Sequence, residues 1–394
     1  MKCKFKTTLN GGEKYECPRD AEEGGDYCFW HNEEDGKNLE GKDLRNKKLM
    51  GAYLKGANLQ EAHLGGPNLQ KAHLEGPSLL EVDLEGANLQ KAYLEGANLQ
   101  KAILWGANLQ NANLIGANLK NANLIGANLQ KANLIGANLQ KANLWRANIQ
   151  NANLIEVNLQ KADLLVANLQ KANLFMANLQ EAELVNAYLL DAELSNANLQ
   201  DANLYHAKIE KARNLQYAKL DVEVINERDG DKEKDSEEKL EKYNEAHDIY
   251  ITLKNYFRKV GRYDLSGKYF IRECRVKGKI DKLNGNYHLY FANRFLDIFS
   301  EYGESPQRVL GWSVAIVGLF AFLYFISNAI TPEGLTHNPT LAESIYFSIV
   351  TFTTLGYGDF HPKPAFQLLA AFEAFIGMFI MAFFTITVAR KIMR

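Results

Sequence analysis

The chain has 394 residues, enough for two or three domains, with 23% charged residues and a formal net charge of −2. A balance so near neutral suggests no polyanion-binding surface, and no basic tail argues for nucleic acid. The mean hydropathy of −0.29 suits a soluble protein, yet nearly all the long apolar runs lie after residue 308.

The N-terminus, Met1-Lys-Cys-Lys-Phe-Lys6, lacks the apolar core of a signal peptide, which predicts that residues 1–300 stay in a reducing cytosol. Cys3, Cys17, Cys28 and His31 make C-x13-C-x10-C-x2-H within a first module, residues 1–37. Cys-x-x-His is a spacing that suits tetrahedral zinc, and three thiolates with one imidazole make a closed, structural site. Such a knuckle would cap the open edge of the segment that follows. The alternative is unliganded thiols beside a surface histidine.

Residues 38–222 are repetitive. Leu or Ile occupies every fifth position from Leu39 to Ile209, 35 in succession, mostly within Ala-Asn-Leu-x-x. On an α-helix this period would spiral the leucines around every face, and on a flat strand it would alternate them between two faces. A corner once per unit lets every Leu and Ala point inward. Pro67, Pro77, Val82 and Val157 replace the inward Ala, and Ile149 and Ile209 replace Leu. Runs such as Gly126-Ala-Asn-Leu-Gln-Lys-Ala-Asn-Leu-Ile135 resemble the pentapeptide-repeat family. The resemblance implies a right-handed quadrilateral β-helix with four units per coil, hence roughly nine coils and a rod on the order of 40 Å. Outward Trp105, Trp145 and Arg146 break the polar pattern and mark either a contact surface or ordinary surface variation.

The register slips after Ile209, to Leu215 and Leu220. Residues 223–304 read as a helical linker: a charged, solvated hinge over 223–245, then an amphipathic helix with Ile249, Leu253, Tyr256 and Phe257 on one face. Gly261 to Phe270 reads as a turn and a returning helix, similar to one tetratricopeptide hairpin, which must pack on the rod's end or on a neighbour. Tyr287–Tyr302 predicts a helix along a membrane interface.

Two runs in 305–394 meet the bilayer length, Val309–Ile330 and Ala365–Ala389, the second with one charge, Glu373. Arg308, Arg390, Lys391 and Arg394 lie at the outer edges of the pair, which predicts both termini in the cytoplasm and the cell membrane as location. Between them, Thr351-Phe-Thr-Thr-Leu-Gly-Tyr-Gly-Asp359 resembles the potassium-channel signature. The resemblance implies a homotetramer in a lipid bilayer, with potassium ions in a filter of Thr354, Leu355, Gly356, Tyr357, Gly358 and Asp359. Carbonyls aimed at one axis need backbone angles of alternating hand, which accounts for Gly356 and Gly358. Tyr357 would brace the loop against the pore helix. Leu355 departs mildly from the commoner Val, and Val350 stands where some relatives carry a bracing Glu. Gly377 matches the hinge glycine of related channels, with a packing glycine as the alternative. Met381, Thr385 and Ala389 share its face and would line cavity and gate. Glu373 would bond a pore-helix hydroxyl such as Ser348 or Thr351; a cavity-facing position that attracts cations is the alternative.

The function expected is therefore a potassium channel subunit with a regulatory or scaffolding repeat domain, its ligand or protein partner unnamed. No arginine-rich span predicts voltage sensing, and the chain ends too soon after Val388 for a C-terminal regulator, so control is expected from the N-terminal part. The competing reading is a DNA-mimic binding protein, as some pentapeptide-repeat rods are. That needs an acidic rod, whereas here Lys91, Lys131 and Lys171 offset Glu85, Glu95 and Glu181. No nucleophile–base pair, phosphate loop or open metal site points to an enzyme.

Overall fold

A leucine at every fifth residue is buried only if the backbone turns between leucines, and the pairing shows how it does so. Parallel bridges join residues twenty apart, Asn58 with Ser78 and Asn148 with Asn168, so four units close each coil. At each corner the Ala amide donates to the Leu carbonyl three residues back, as Ala132 to Leu129 at 3.0 Å. The residue two after the Leu is left-handed, with φ +58° at Lys131 and +63° at Gly136. That conformation costs a lysine roughly 1–2 kcal/mol, whereas each buried Leu returns about 1.5–3 kcal/mol; the leucine column wins. Leu129 and Ala132 are each 1% exposed, and Val82, Val157, Ile149 and Ile209 are as buried as the residues they replace. The computed structural model describes residues 1–8, 14–17, 19, 22, 28–33, 37–44, 49, 51–55, 57–59, 61–62, 64, 66, 68–76, 78–332 and 338–392. Pro67 and Pro77 lie outside these. The contacts divide the chain into two units, Met1–Arg262 and Tyr263–Arg394.

Through the middle of the rod the Asn before the Leu is half-buried, as at Asn128 and Asn138. Its Oδ1 accepts from the amide two residues on, as Gln130 N to Asn128 at 3.1 Å, and at some of these positions its Nδ2 reaches the Asn one coil below, as Asn138 to Asn118 at 3.4 Å. A second ladder runs Gln70–Gln90–Gln110–Gln130–Gln150. Side-chain amides therefore bond from coil to coil outside the core.

Both rod ends are covered. At the N-terminal end a hairpin pairs β1 (Lys6–Thr8) with β2 (Lys14–Glu16). Tyr53 N donates to Trp30 O at 2.6 Å, and the Phe5 ring lies where a Cβ on Gly51 would stand. At the C-terminal end a 3-10 turn, Leu215–Tyr217, takes up the slipped residue, so the last bridge joins Asn198 to Lys219. Helices α1 (Ile225–Lys232) and α2 (Ser236–Lys259) follow. The Asp235 carboxylate caps α2 by accepting from Glu237 N and Glu238 N. Ile249, Leu253, Tyr256 and Phe257 are buried, and Tyr256 OH donates to Ala212 O at 3.1 Å. The stretch expected as a solvated hinge is partly buried instead. Glu227 is 1% exposed because Tyr250 OH reaches its carboxylate at 2.5 Å.

The second unit contains α3 (Tyr263–Leu283), α4 (Tyr287–Ser300), α5 (Pro306–Ile326), β3 (Ile330–Pro332), α6 (Leu341–Phe352), β4 (Phe360–Pro362) and α7 (Gln367–Ile392). Helix α4 has its polarity inverted. Asp297 and Ser300 are buried, with Asp297 held by Arg275 in a forked pair at 2.9–3.1 Å, whereas Phe291 and Phe295 are two-thirds exposed. Pro306 opens α5 at a first-turn position where its missing N–H costs nothing. The first span begins three residues before the expected Val309 and ends at Ile326, because Ile330–Pro332 leaves the helix to pair antiparallel with Phe360–Pro362. That pairing and Lys363 N to Ala329 O (2.8 Å) clasp the base of the loop between the spans.

Candidate functional site

Helix α6 starts with a capping box: Thr340 Oγ1 accepts from Glu343 N, and the Glu343 carboxylate accepts from Thr340 N at 2.7 Å. It ends at Phe352, and the chain then takes a sequence of conformations found nowhere else among the described residues. Thr354, Gly356 and Gly358 have φ of +59°, +54° and +80°, with Leu355 and Tyr357 between them in the ordinary region. Alternating hand at successive residues turns consecutive carbonyls toward one side. Thr354 is the unexpected member, since a β-branched residue at positive φ is strained. Leu355 N to Val350 O at 3.0 Å and Thr354 N to Thr351 O at 3.0 Å hold it. Leu355 and Tyr357 are 59% and 66% exposed. Tyr357 thus leaves most of its surface uncovered within the single chain.

Behind this loop α7 crosses α6. A Cβ on Gly377 would stand 1.9 Å from Phe352 O and 2.7 Å from its carbonyl carbon. Helix α7 runs unbroken from Gln367 to Ile392, and its close approach to α6 leaves no room for a Cβ at Gly377. Of the residues sharing its face, Met381 and Thr385 are exposed and Ala389 is half-buried. Glu373, one turn before Gly377, is 0% exposed. Its carboxyl meets the Ser348 hydroxyl of α6 and accepts from Tyr324 OH of α5 at 2.7 Å. Tyr324 was not anticipated; it is the sole tyrosine of α5, and a buried carboxyl in search of a donor was the available signal.

The four N-terminal residues meet. Cys3 Sγ and Cys28 Sγ lie 3.4 and 3.3 Å from His31 Nδ1, Cys17 Sγ lies 3.8 Å from Cys28 Sγ, and all four are buried. A tetrahedral zinc with bonds of about 2.3 Å to sulfur and 2.0 Å to nitrogen has S···S edges of about 3.8 Å and S···N edges of about 3.5 Å. The donor set and the spacing fit that ion. Phe5 stacks on the His31 ring at 3.9 Å and 5°, fixing its orientation. On the rod surface Trp105 is 53% exposed, and the Arg146 guanidinium lies 4.7 Å from the Trp145 ring centre.

Helices Pro306–Ile326 and Pro364–Ile392 are long and apolar enough to cross a membrane. The family of pentapeptide repeats matches residues 68–106, 107–146, 147–174 and 177–213, in eight copies, and the ion channel family matches residues 312–394. The chain is 34% identical over 121 residues to "Two pore potassium channel a" of Oryza sativa subsp. japonica, covering 30% of this chain and 34% of that protein. It thus spans about a third of the length of that relative. Among solved structures it is similar to HetL, a pentapeptide repeat protein of the cyanobacterium Nostoc sp., at 33% identity over 47% of this chain and 87% of that one, with a TM-score of 0.20. A pentapeptide repeat protein of the Arabidopsis thaliana thylakoid lumen shares 31% identity over 23% of this chain and 66% of its own, again with a TM-score of 0.20. Within residues 68–213 the chain matches the pentapeptide repeats, and over residues 312–394 the ion channel family, the two joined in one chain.

Proposed function

We propose that this chain is one subunit of a potassium-selective channel in the cell membrane, assembled as a homotetramer around Thr354–Asp359. The alternating φ at Thr354, Gly356 and Gly358 carries the reading. Four copies of such a loop present stacked rings of carbonyl oxygens that replace the hydration shell of potassium. The exposed Tyr357 would then find its bracing partner on a neighbouring subunit's pore helix. The C-terminal end of α6 carries partial negative charge and favours a cation below the filter. Met381, Thr385 and Ala389 line the cavity and gate, with Gly377 in contact with α6 and Glu373 as the brace behind the filter.

The domains in this reading are a zinc module (1–37), a right-handed four-sided β-helix (38–222), a helical linker (223–304) and the pore domain (305–394). Zinc held by Cys3, Cys17, Cys28 and His31 is structural, because four protein ligands leave no open position. Both termini are cytoplasmic, so α4 lies at the inner interface with its apolar face in lipid. The rod regulates or scaffolds the pore and takes no nucleic acid. Reversal potentials in a planar bilayer, potassium against sodium, test the pore. A value near the potassium equilibrium potential, lost in Gly356→Asp, is expected; a value near zero in the unaltered protein would overturn the reading. Deleting residues 1–220 should keep selectivity and change open probability. Unchanged gating would reduce the rod to a scaffold.

A further inference from the structure

The polar cluster behind the filter has a proton count that fixes the state of Glu373. The Ser348 hydroxyl lies within bonding distance of two acceptors, Val317 O on α5 at 3.0 Å and the Glu373 carboxyl on α7, yet it has one hydrogen. Tyr324 OH, also with one hydrogen, spends it on the other carboxyl oxygen at 2.7 Å. An ionised Glu373 would draw the Ser348 hydrogen away from Val317 O. It would also keep a full negative charge at 0% exposure, with two neutral hydroxyls as its only polar contacts among the described residues. No ammonium or guanidinium comes from α5, α6 or α7 to balance it, and an unpaired charge at membrane depth is costly. A protonated Glu373 removes both difficulties: it donates to Ser348 Oγ, accepts from Tyr324, and leaves the Ser348 hydrogen for Val317 O. Every hydrogen then has one acceptor.

We infer that Glu373 is a neutral carboxylic acid serving as a positioning residue. The relay Tyr324–Glu373–Ser348–Val317 ties α5 and α7 to the pore helix one residue before Ile349 and two before Val350, whose carbonyl holds Leu355 of the filter. The carboxyl acts on permeation through the pore helix and never meets the ion. The inference rests on the pore reading for its role, but the protonation state itself does not.

Infrared spectroscopy of the full-length protein in lipid vesicles at neutral pH reads the proton directly. A protonated-carboxyl C=O band should be present and vanish in Glu373→Gln. In Ser348→Ala the band should remain and shift upward, because the acid loses its acceptor. In the same vesicles Glu373→Gln, which keeps a donor and an acceptor, should hold the potassium-to-sodium permeability ratio within about twofold, whereas Glu373→Ala should lower it roughly tenfold, the factor one lost buried hydrogen bond carries. Absence of the band in the unaltered protein would overturn the inference, as would equal loss of selectivity in Glu373→Gln and Glu373→Ala. A band without potassium selectivity in the unaltered protein would uphold the neutral acid and sink the pore reading instead.

Discussion

Replacing Gly377 by alanine separates two accounts of the same residue by the sign of one number. If the glycine serves as a hinge, Gly377→Ala stiffens an exposed helix and stabilises it by about 1 kcal/mol from helix propensity. The structure argues the reverse. The added methyl would stand 1.9 Å from Phe352 O and 2.9 Å from Phe352 Cα, all backbone atoms that no rotamer change can remove. Ordinary contact distance requires α7 and α6 to part by about 1.5 Å, and such overpacking costs about 1–3 kcal/mol. Set against the propensity gain, the net is a loss of about 1 kcal/mol per chain. Because Phe352 precedes Thr353 and Thr354, the displaced end of α6 also moves the filter. Thermal unfolding in detergent, paired with reversal potentials, checks both. A lower melting temperature with weakened selectivity is expected. A melting temperature raised or unchanged, with intact selectivity and only the open probability altered, would refute the packing argument and restore the hinge.

Other perturbations probe the remaining devices. Metal analysis of the purified protein should find about one zinc per chain, reduced in Cys28→Ser, and chelation should loosen the first coils as measured by hydrogen exchange at Leu54 and Leu59. Leu129→Ala in mid-rod should cost about 2–5 kcal/mol, and hydrogen exchange should show the loss concentrated within neighbouring coils, since each coil touches only the next. Arg275→Leu should destabilise the second unit by about 1–3 kcal/mol, because Asp297 is left buried without its forked partner. An urea titration that shows no change would mean Arg294 alone suffices for Asp297.

The features legible in the sequence are those written at short range. A five-residue period states its own corner, and Leu, Ala and the turn residues all lie within one unit, so burial at Leu39 through Ile209 follows from counting. The nine residues ending at Asp359 are likewise contiguous. What was missed depends on residues far apart in sequence. Tyr324 and Glu373 are 49 residues apart, Ile330 meets Pro362 across the whole pore loop, and neither pairing leaves a periodic trace. The charged run at 223–245 reads as solvated because its composition is polar, yet Tyr250 makes Glu227 buriable from another helix. At Gly377 the residue type was read correctly as special, but glycine serves bending and close approach equally well, and only the position of Phe352 decides. Thr354 shows the converse: its side chain argues against positive φ, and the loop's hydrogen bonds impose it.

The twenty-residue coil constrains how such a rod can change in length. Loss or gain of one unit rotates everything downstream by a quarter turn about the long axis. Asn and Gln rungs on either side of the change would then face different columns, whereas the carbonyl of Ala212 and the Tyr256 hydroxyl, both downstream, would turn together. Four units together preserve the rungs. Insertions or deletions in the middle of the rod should therefore be tolerated in multiples of twenty residues and disfavoured in single fives, although every unit alone has the same shape and buries the same leucine.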